Sequence, residues 1–211
     1  MERGLFITVE GTDGSGKSTQ LEFISDYLKE NGETAIITRE PGGTPIGEKI
    51  RAIILDKKNE EMSPVTEMLL YAASRAQHID QLIGPVLTRG RMVLCDRFID
   101  SSLAYQGYAR GLGDSVSVVN QYAIGDFMPD VTFLLKLHPR NSVARVKEQE
   151  RDRMESQRMD FYQKVYDGYL DLEKKYPDRI VGIDGTGTIE EINQRIKTHL
   201  DRVLLSRKVR W

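Results

Sequence analysis

Several features that would point to particular protein classes are scarce or missing in this sequence. Cysteine occurs once, as Cys95, so no internal disulfide can form, which fits a reducing compartment. No apolar run approaches the roughly 18 residues of a membrane span, and the first residues lack the apolar core of a secretory signal. The formal net charge is −2, whereas general nucleic-acid-binding proteins are usually basic. We therefore expect a cytoplasmic protein that binds neither membranes nor nucleic acid.

Short apolar runs predict the fold class. They occupy residues 5–9, 35–38, 92–95, 131–137 and 180–183, and each is apolar on successive residues. This pattern is typical of strands buried on both faces of a parallel sheet. Between the runs lie helix-length segments at residues 17–31, 45–56, 64–88, 115–127, 141–150, 157–176 and 189–206. The alternation predicts a doubly wound α/β fold, and the absence of a linker predicts a single domain over residues 1–211.

One motif indicates a phosphate-binding loop. The pattern G-x-x-x-x-G-K-[ST] is satisfied by Gly11, Thr12, Asp13, Gly14, Ser15, Gly16, Lys17 and Ser18, with Thr19 next. It follows a predicted strand and precedes a predicted helix, as the motif requires. Glycines let the backbone wrap around phosphate oxygens, and the helix N-terminus adds partial positive charge. We expect Lys17 to reach the β- and γ-phosphates of a nucleotide and the Ser18 hydroxyl to bind Mg²⁺.

The phosphate loop alone does not separate kinases from other nucleotide-binding proteins. A GTPase would need a guanine-reading Asn-Lys-x-Asp motif, which the sequence lacks. The D-x-x-G match at residues 184–187 follows the last strand, too late for a switch segment, and is expected to form a turn. A chain of 211 residues is small for a motor ATPase or helicase. The sequence favours a kinase that acts on small molecules.

A second set of polar residues follows the third and second predicted strands. Asp96 and Arg97 come at the carboxyl end of the 92–95 run, where open α/β sheets bind ligands. Asp96 is placed to hold the Mg²⁺ shell, and Arg97 to bind an acceptor phosphate. The loop 39–44 follows the second strand into the same crevice, and Arg51 lies two helical turns farther on. Taken alone, that loop would be read as a simple connection and Arg51 as part of a solvated helix face.

Four segments together resemble bacterial thymidylate kinases over nearly the full chain: residues 10–19, 38–44, 70–75 and 96–107. The resemblance implies a nucleoside monophosphate kinase fold with a five-stranded parallel sheet in the order 2-3-1-4-5. It also implies transfer of the γ-phosphoryl group from ATP to dTMP with Mg²⁺, giving dTDP for dTTP synthesis. The family is commonly homodimeric.

The resemblance assigns roles around the acceptor nucleotide. Tyr71 would stack on thymine, Arg75 would donate to thymine O4, and Ser102 and Gln106 would frame the base. Tyr105 would pack under the sugar and exclude a 2′-hydroxyl. Arg51 and Arg97 would hold the acceptor phosphate, and Asp13 and Glu40 would lie near the 3′-hydroxyl and the metal. Taken alone, Tyr71 and Tyr105 would be read as core aromatics and Arg75 as a solvated side chain.

The arginine-rich segment near residue 150 is expected to be a lid, about residues 145–160. By composition, such a charge run is usually a solvated face. In the family, lid arginines supply positive charge to the transferring phosphoryl group, and residues 12–15 carry no arginine that would replace them. The chain thus resembles the lid-arginine subtype. Arg153 is the preferred catalytic candidate, with Arg151 as a nucleotide ligand and Arg158 less certain.

Two alternatives differ in the reaction that they predict. One is a kinase for another small acceptor, such as a different nucleotide or shikimate. The other is a nucleotide-binding switch that uses ATP only to change shape. Turnover with dTMP separates both from the first interpretation.

Overall fold

The computed structural model describes residues 3–142, 145 and 152–208, with side chains placed through residue 205 in the last helix. Five parallel strands form the central sheet: β1 (Phe6–Glu10), β2 (Ala35–Arg39), β3 (Met92–Asp96), β4 (Val131–Lys136) and β5 (Ile180–Asp184). Their order is β2-β3-β1-β4-β5. The predicted α/β fold and the strand order implied by the family resemblance are both confirmed.

Helices cover both faces of this sheet in the described residues. They are α1 (Lys17–Glu30), α2 (Pro45–Leu55), α3 (Pro64–His78), α4 (Gly84–Thr88), α5 (Ile99–Ser102), α6 (Ser115–Ile124), α7 (Pro139–Ser142), α8 (Met159–Lys175) and α9 (Ile189–Lys208). A π-helical segment, Ile79–Ile83, joins α3 to α4, and a second, Leu103–Ala109, follows α5. Thr44 and Ser63 cap α2 and α3 by accepting a backbone hydrogen bond, and each is followed by proline at the first helical position.

Alternate residues of each central strand belong to different core layers. Phe6 and Val93 pack in the layer that includes α3, α5 and α8, whereas Ile7 and Leu94 pack against α1 and α9. Successive side chains of a strand point to opposite faces, so both positions of the alternation must be apolar when both faces are covered. This explains the uninterrupted apolar runs in the sequence.

The structure departs from the predicted elements in three places. β2 is an edge strand, and Ile37 on it is 54% exposed, so burial on both faces does not extend to this strand. Of the helix predicted at residues 141–150, the described part ends with α7 at Ser142, and most of the remainder lies outside the described residues. The sequence pattern does not set the bounds of the helical stretch from Ile99 to Ala109. Among the helices in the described part of the chain, none has the length and apolar character needed to span a bilayer.

Candidate active site

The carboxyl ends of β1, β2 and β3 lie side by side and open onto one cavity. Val9 of β1 and Arg39 of β2 are both register partners of Asp96 at the end of β3. The cavity has a volume of about 520 Å³ and is lined by the loops after these strands, by α3 and by Asp152, Met154 and Glu155. Chain segments that are far apart in sequence therefore meet where open α/β sheets bind ligands.

The loop between β1 and α1 requires glycine at specific positions. Gly14 has a φ angle of 76°, and a Cβ atom there would lie 2.0 Å from the carbonyl oxygen of Ser142. Gly16 has a φ angle of 96° and is the N-cap residue of α1, and no side chain makes a capping hydrogen bond at this helix end. The N-terminus of α1 therefore has no side-chain oxygen bound to it, and its N–H groups and partial positive charge suit it to bind an anion.

Lys17 extends from the first position of α1 back into this loop. Its ammonium donates to the carbonyl oxygens of Gly11 at 3.3 Å and Thr12 at 3.2 Å, and it lies 3.8 Å from the Asp13 carboxylate. Burial lowers the pKa of Lys17, and the nearby Arg97 lowers it further. An anion in the loop would favour the charged ammonium and give it a stronger acceptor than a carbonyl group.

Buried oxygen atoms at the strand ends are suited to hold a cation. Ser15 Oγ and Asp96 Oδ1 are both buried without a hydrogen-bond partner among the described residues. The Ser18 side chain lies on the exposed wall of the same cavity. A buried oxygen without a donor is unfavourable unless water or a cation satisfies it. Carboxylate and hydroxyl oxygens are ligands that Mg²⁺ prefers, so Asp96 and Ser18 fit this ion.

Arg97 adopts an unusual backbone conformation at the end of β3. Its φ angle of 64° lies in the left-handed region, which no other non-glycine residue adopts in the part of the chain that the structure describes. Such a conformation costs about 1–3 kcal/mol and persists only where its surroundings hold it. The guanidinium donates to Asp13 at 2.6 Å and to Ser101 at 3.0 Å, and lies 5.3 Å from the centre of the Tyr105 ring. These contacts fix Arg97 at the cavity, beside the phosphate loop.

Glu10, the last residue of β1, supports Arg97 from below and was not predicted from the sequence. Its buried carboxylate accepts hydrogen bonds from the backbone N–H of Phe98 at 2.7 Å and from the Ser101 hydroxyl at 2.6 Å. It also accepts from the Tyr169 hydroxyl at 2.8 Å, and that hydroxyl in turn contacts Arg97. Burial raises the pKa of Glu10. The sequence signal was a carboxylate directly before the phosphate loop, at the end of an otherwise apolar strand.

Cys95 lies next to this turn, inside β3. Its side chain is fully buried, and its Sγ donates to the carbonyl oxygen of Arg97 at 3.1 Å. Burial raises the pKa of the Cys95 thiol well above its ordinary value. The thiol is therefore a small packing group beneath the site and has no thiolate character.

The loop after β2 is tied to α2 and α3. The Gly42 N–H donates to Ser74 Oγ at 3.1 Å, and Arg51 donates to the Pro41 carbonyl at 2.9 Å. Glu40 is buried and accepts from Arg75 at 2.7 Å and contacts His78 at 3.1 Å. The loop is thereby held as one wall of the cavity.

Arg75 is more completely engaged than the sequence suggested. Its side chain is 1% exposed, and its Nε and Nη2 groups both lie 2.7 Å from one carboxylate oxygen of Glu40. The other donors reach Ser102 at 3.0 Å, the Asn120 side chain, and the Phe98 carbonyl at 2.9 Å. Each of the three guanidinium nitrogens thus has a protein acceptor, with which a base acceptor would have to compete.

The stretch from α5 into the following π-helical segment supplies the opposite wall. Tyr105 lies under Arg97, and its hydroxyl is 3.4 Å from Asp13. Gln106 is buried and donates to Glu67 of α3 at 2.9 Å. The Tyr71 ring is half-buried and lines the same cavity from α3. π-helical segments frequently occur at functional sites.

Comparisons with known proteins agree with this geometry. A family model described as thymidylate kinase matches residues 9–196. The chain belongs to the thymidylate kinase family. A thymidylate kinase from Exiguobacterium sp. is 49% identical over 195 residues, covering 92% of each chain. One from Clostridium novyi is 46% identical over 204 residues, covering 95% of this chain and all of that one. The crystal structure of thymidylate kinase from Ehrlichia chaffeensis is similar with a TM-score of 0.78 at 33% identity, and the match covers 94% of this chain and 99% of that one.

Most site residues predicted for this family member line the one cavity. They are Asp13, Gly14, Gly16, Lys17, Ser18, Thr19, Glu40, Arg51, Tyr71, Arg75, Asp96, Arg97, Ser102, Tyr105 and Gln106. Gly11, Thr12 and Ser15 form the phosphate loop behind this surface, where Thr12 contacts the hydroxyl of Ser142. Arg151 lies outside the described residues.

Arg153 is not brought to the phosphate loop. Its guanidinium is 6% exposed and is bound to the Glu67 carboxylate and to the Ile54 carbonyl. The predicted contact with a transferring phosphoryl group would require both bonds to break. Arg145 does line the cavity, and its guanidinium lies 3.4 Å from the Gly14 carbonyl. Sequence reasoning missed Arg145 because it precedes the dense arginine cluster.

Replacing Arg75 by alanine is expected to lower the free energy of unfolding by about 3–5 kcal/mol, since it would leave the buried Glu40 carboxylate without its guanidinium. Urea denaturation measures the loss. Arg39→Ala is the matched control, because Arg39 pairs with Glu48 in the same type of ion pair but with both side chains roughly half exposed. The control should lose about 0–1 kcal/mol. Equal losses in the two variants would contradict the structural role of Arg75.

Proposed function

We propose that the chain transfers the γ-phosphoryl group of ATP to dTMP, giving ADP and dTDP. The observation that carries the proposal is the shared cavity, in which the phosphate loop and the acceptor-side residues face one another across Arg97. The relatives are named thymidylate kinase, a name that states phosphorylation of thymidylate for those proteins. The proposal extends it to this chain because the residues needed for each half of the reaction line one site.

The chain's own contribution is to position phosphates and neutralise charge. The uncapped N-terminus of α1 and Lys17 would bind the donor phosphates, and Arg97 would bridge donor and acceptor sides. Phosphoryl transfer needs in-line positioning and electrostatic stabilisation more than covalent chemistry. Asp96 and Ser18 would hold Mg²⁺, which when bound neutralises charge on the phosphates. The buried Asp96 oxygen without a donor supports this assignment.

The acceptor wall supports a pyrimidine deoxynucleotide. Tyr71 would stack on the base, and Ser102 and Gln106 would frame it, while Arg51 would bind its phosphate. Arg75 would present O4 with a donor-only edge, which favours the carbonyl of thymine over the amine of cytosine. Glu40 and Asp13 would lie near the sugar hydroxyl. In this proposal Arg75 also fixes the wall through its contacts with Glu40 and Ser102.

Tyr105→Ala is expected to relax discrimination against a ribose acceptor. The ring fills space beside Asp13 and beneath Arg97, where a 2′-hydroxyl would otherwise fit. The measurement is the ratio of kcat/KM for deoxyribo- and ribothymidylate, which should fall about tenfold, as for a pocket contact of moderate size. Tyr108→Ala is a control on the same π-helical segment, since Tyr108 is 42% exposed and does not line the cavity. If the folded Tyr105→Ala variant kept the wild-type ratio, the Tyr105 ring would have only a packing role in the core.

The function is tested by measuring ADP release with dTMP, dUMP, dCMP, dAMP, dGMP, UMP and AMP as acceptors. The expected order of kcat/KM is dTMP, then dUMP, then dCMP. Preference for another acceptor would support a different small-molecule kinase. ATP binding without acceptor-dependent ADP release would support the nucleotide switch.

Three further properties belong to the same proposal. We propose the lid-arginine subtype, with positive charge supplied from the predicted lid. Arg151 and Arg153 are the candidates from the sequence, and the contact of Arg145 with the phosphate loop supports Arg145 as another.

We propose a homodimer, supported by exposed apolar side chains on α3 and α6, among them Leu69 and Tyr122. Sedimentation equilibrium would measure it. A cytoplasmic location is supported by the single buried cysteine.

A further inference from the structure

Glu67 of α3 lies where three chain segments meet: α3 itself, the π-helical segment with the residue that follows it, and the segment 152–158. Its side chain is 1% exposed and accepts hydrogen bonds from Arg153 at 2.7 Å, Arg110 at 3.0 and 3.1 Å, and Gln106 at 2.9 Å. Burial alone would raise the pKa of Glu67, but hydrogen bonds from Arg110, Gln106 and Arg153 outweigh it, and the pKa is lowered. The carboxylate is therefore a fixed negative charge within the protein.

Arg153 connects this charge to the end of α2. Its Nε donates to the carbonyl oxygen of Ile54 at 2.6 Å, and its backbone N–H donates to that of Leu55 at 3.1 Å. The last carbonyl groups of a helix lack intrahelical partners and attract positive charge. One arginine thus satisfies the C-terminus of α2 and pairs with α3 at the same time. Such a side chain is built into the structure and is poorly placed to leave it.

The segment 152–158 that carries Arg153 is also part of the cavity wall. Asp152, Met154 and Glu155 line the cavity, as does Leu55. The Gln157 side chain donates to the Arg153 carbonyl at 3.2 Å and accepts from Arg110 at 3.1 Å. The ion pair between Glu67 and Arg153 therefore ties this wall to α3.

We propose that Glu67 and Arg153 form an anchor that positions the cavity wall of Asp152, Met154 and Glu155, and that Arg153 acts there and not on the transferring phosphoryl group. The inference rests on the proposed function, since it assigns the wall to the dTMP side. Glu67 is a positioning residue, which acts on the cavity through Arg153 and Gln106. Loss of the anchor should weaken acceptor binding, while Lys17 and Arg97, which act on the phosphates, stay in place.

The first test is steady-state kinetics of Arg153→Met. The KM for dTMP should rise about tenfold or more, the value of one charged hydrogen bond. The kcat should stay within about twofold of the wild-type value, and the KM for ATP should not change. The variant loses an interaction that favours bound dTMP equally in the ground state and the transition state. The variant should fold, because Arg110 still pairs with Glu67. Arg202→Met is the control, since Arg202 is an exposed arginine on α9 that does not line the cavity, and it should change neither constant.

The opposite division of effects would overturn the anchor. A kcat lowered about 10³-fold with an unchanged KM for dTMP would assign Arg153 to the transferring group. No change in either constant would also overturn it. If Arg153→Met fails to fold, Arg153→Lys keeps the charge beside Glu67 and loses the second bond to Ile54. The lysine variant should raise the KM for dTMP in the same direction by a smaller factor, and a fall in kcat alone would count against the anchor.

A second test separates this inference from the proposed function. Trypsin should cleave the segment 152–158 faster in Glu67→Gln than in the wild type when no nucleotide is present, because the neutral side chain holds Arg153 less tightly. Equal cleavage rates would overturn the anchor whether or not the protein phosphorylates dTMP. In the double variant Glu67→Gln with Arg153→Met, the KM for dTMP should rise little beyond the larger single effect, since both changes remove one interaction. Multiplicative effects would show that the two residues act independently.

Discussion

Replacing Lys17 by methionine is expected to lower kcat by about 10³-fold or more, because it removes a preorganised charge from the phosphate loop. Methionine keeps the apolar stem of the side chain and loses only the ammonium. In the structure this ammonium makes long bonds, of 3.2 and 3.3 Å, to two loop carbonyls. Such bonds contribute little to folding, so the melting temperature should stay close to that of the wild type.

Lys29→Met provides the matched control for this experiment. Lys29 lies on the same helix, is 61% exposed, and pairs only with the equally exposed Asp26 among the described residues. Its loss should leave kcat unchanged. If Lys17→Met kept near-native turnover with an unaltered melting curve, the loop would not be the donor site.

Arg97→Lys is expected to lower kcat/KM for dTMP by about 10²-fold, although the charge is preserved. A lysine ammonium lacks the planar fork that lets Arg97 contact Asp13 and Ser101 together. The retained charge should limit destabilisation, because Asp13 would still face a cation. Steady-state kinetics with dTMP and thermal melting together measure the two effects.

Arg91→Lys is the control at the other end of the same strand. Arg91 is exposed and directly precedes β3, so the same substitution there should alter neither kcat nor KM. An unchanged kcat/KM in Arg97→Lys would assign Arg97 to holding the turn after β3 and not to the reaction.

The elements that the sequence predicted well are those determined by local pattern. The phosphate loop is eight consecutive residues, and the two glycines that its motif fixes, Gly11 and Gly16, both adopt positive φ angles. The strands were found because β1, β3 and β4 are covered on both faces and carry no polar alternation. β2 has the same apolar pattern as the central strands although it lies at the edge of the sheet. The exposure of Ile37 follows from the strand order, which the local pattern does not determine.

The contacts that sequence reasoning missed join residues far apart in the chain. Arg75 and Glu40 are 35 positions apart, and Arg153 and Glu67 are 86 apart. In both pairs a carboxylate within a helix or loop neutralises an arginine that the sequence assigned to a ligand. An arginine cluster predicts that negative charge will be bound. Only the packing of α3 against the loop after β2 and against the segment 152–158 shows that the protein supplies that charge itself.

Because Cys95 is buried, its reactivity can report local opening at the end of β3. A protonated thiol sealed beneath the Arg97 turn reacts with a disulfide reagent only in molecules in which the end of β3 has come apart. The rate at which the reagent labels wild-type Cys95 therefore measures how often this part of β3 opens, and no probe has to be introduced. Because the sequence has no second cysteine, a thiol engineered on the surface would carry a dye at a single site.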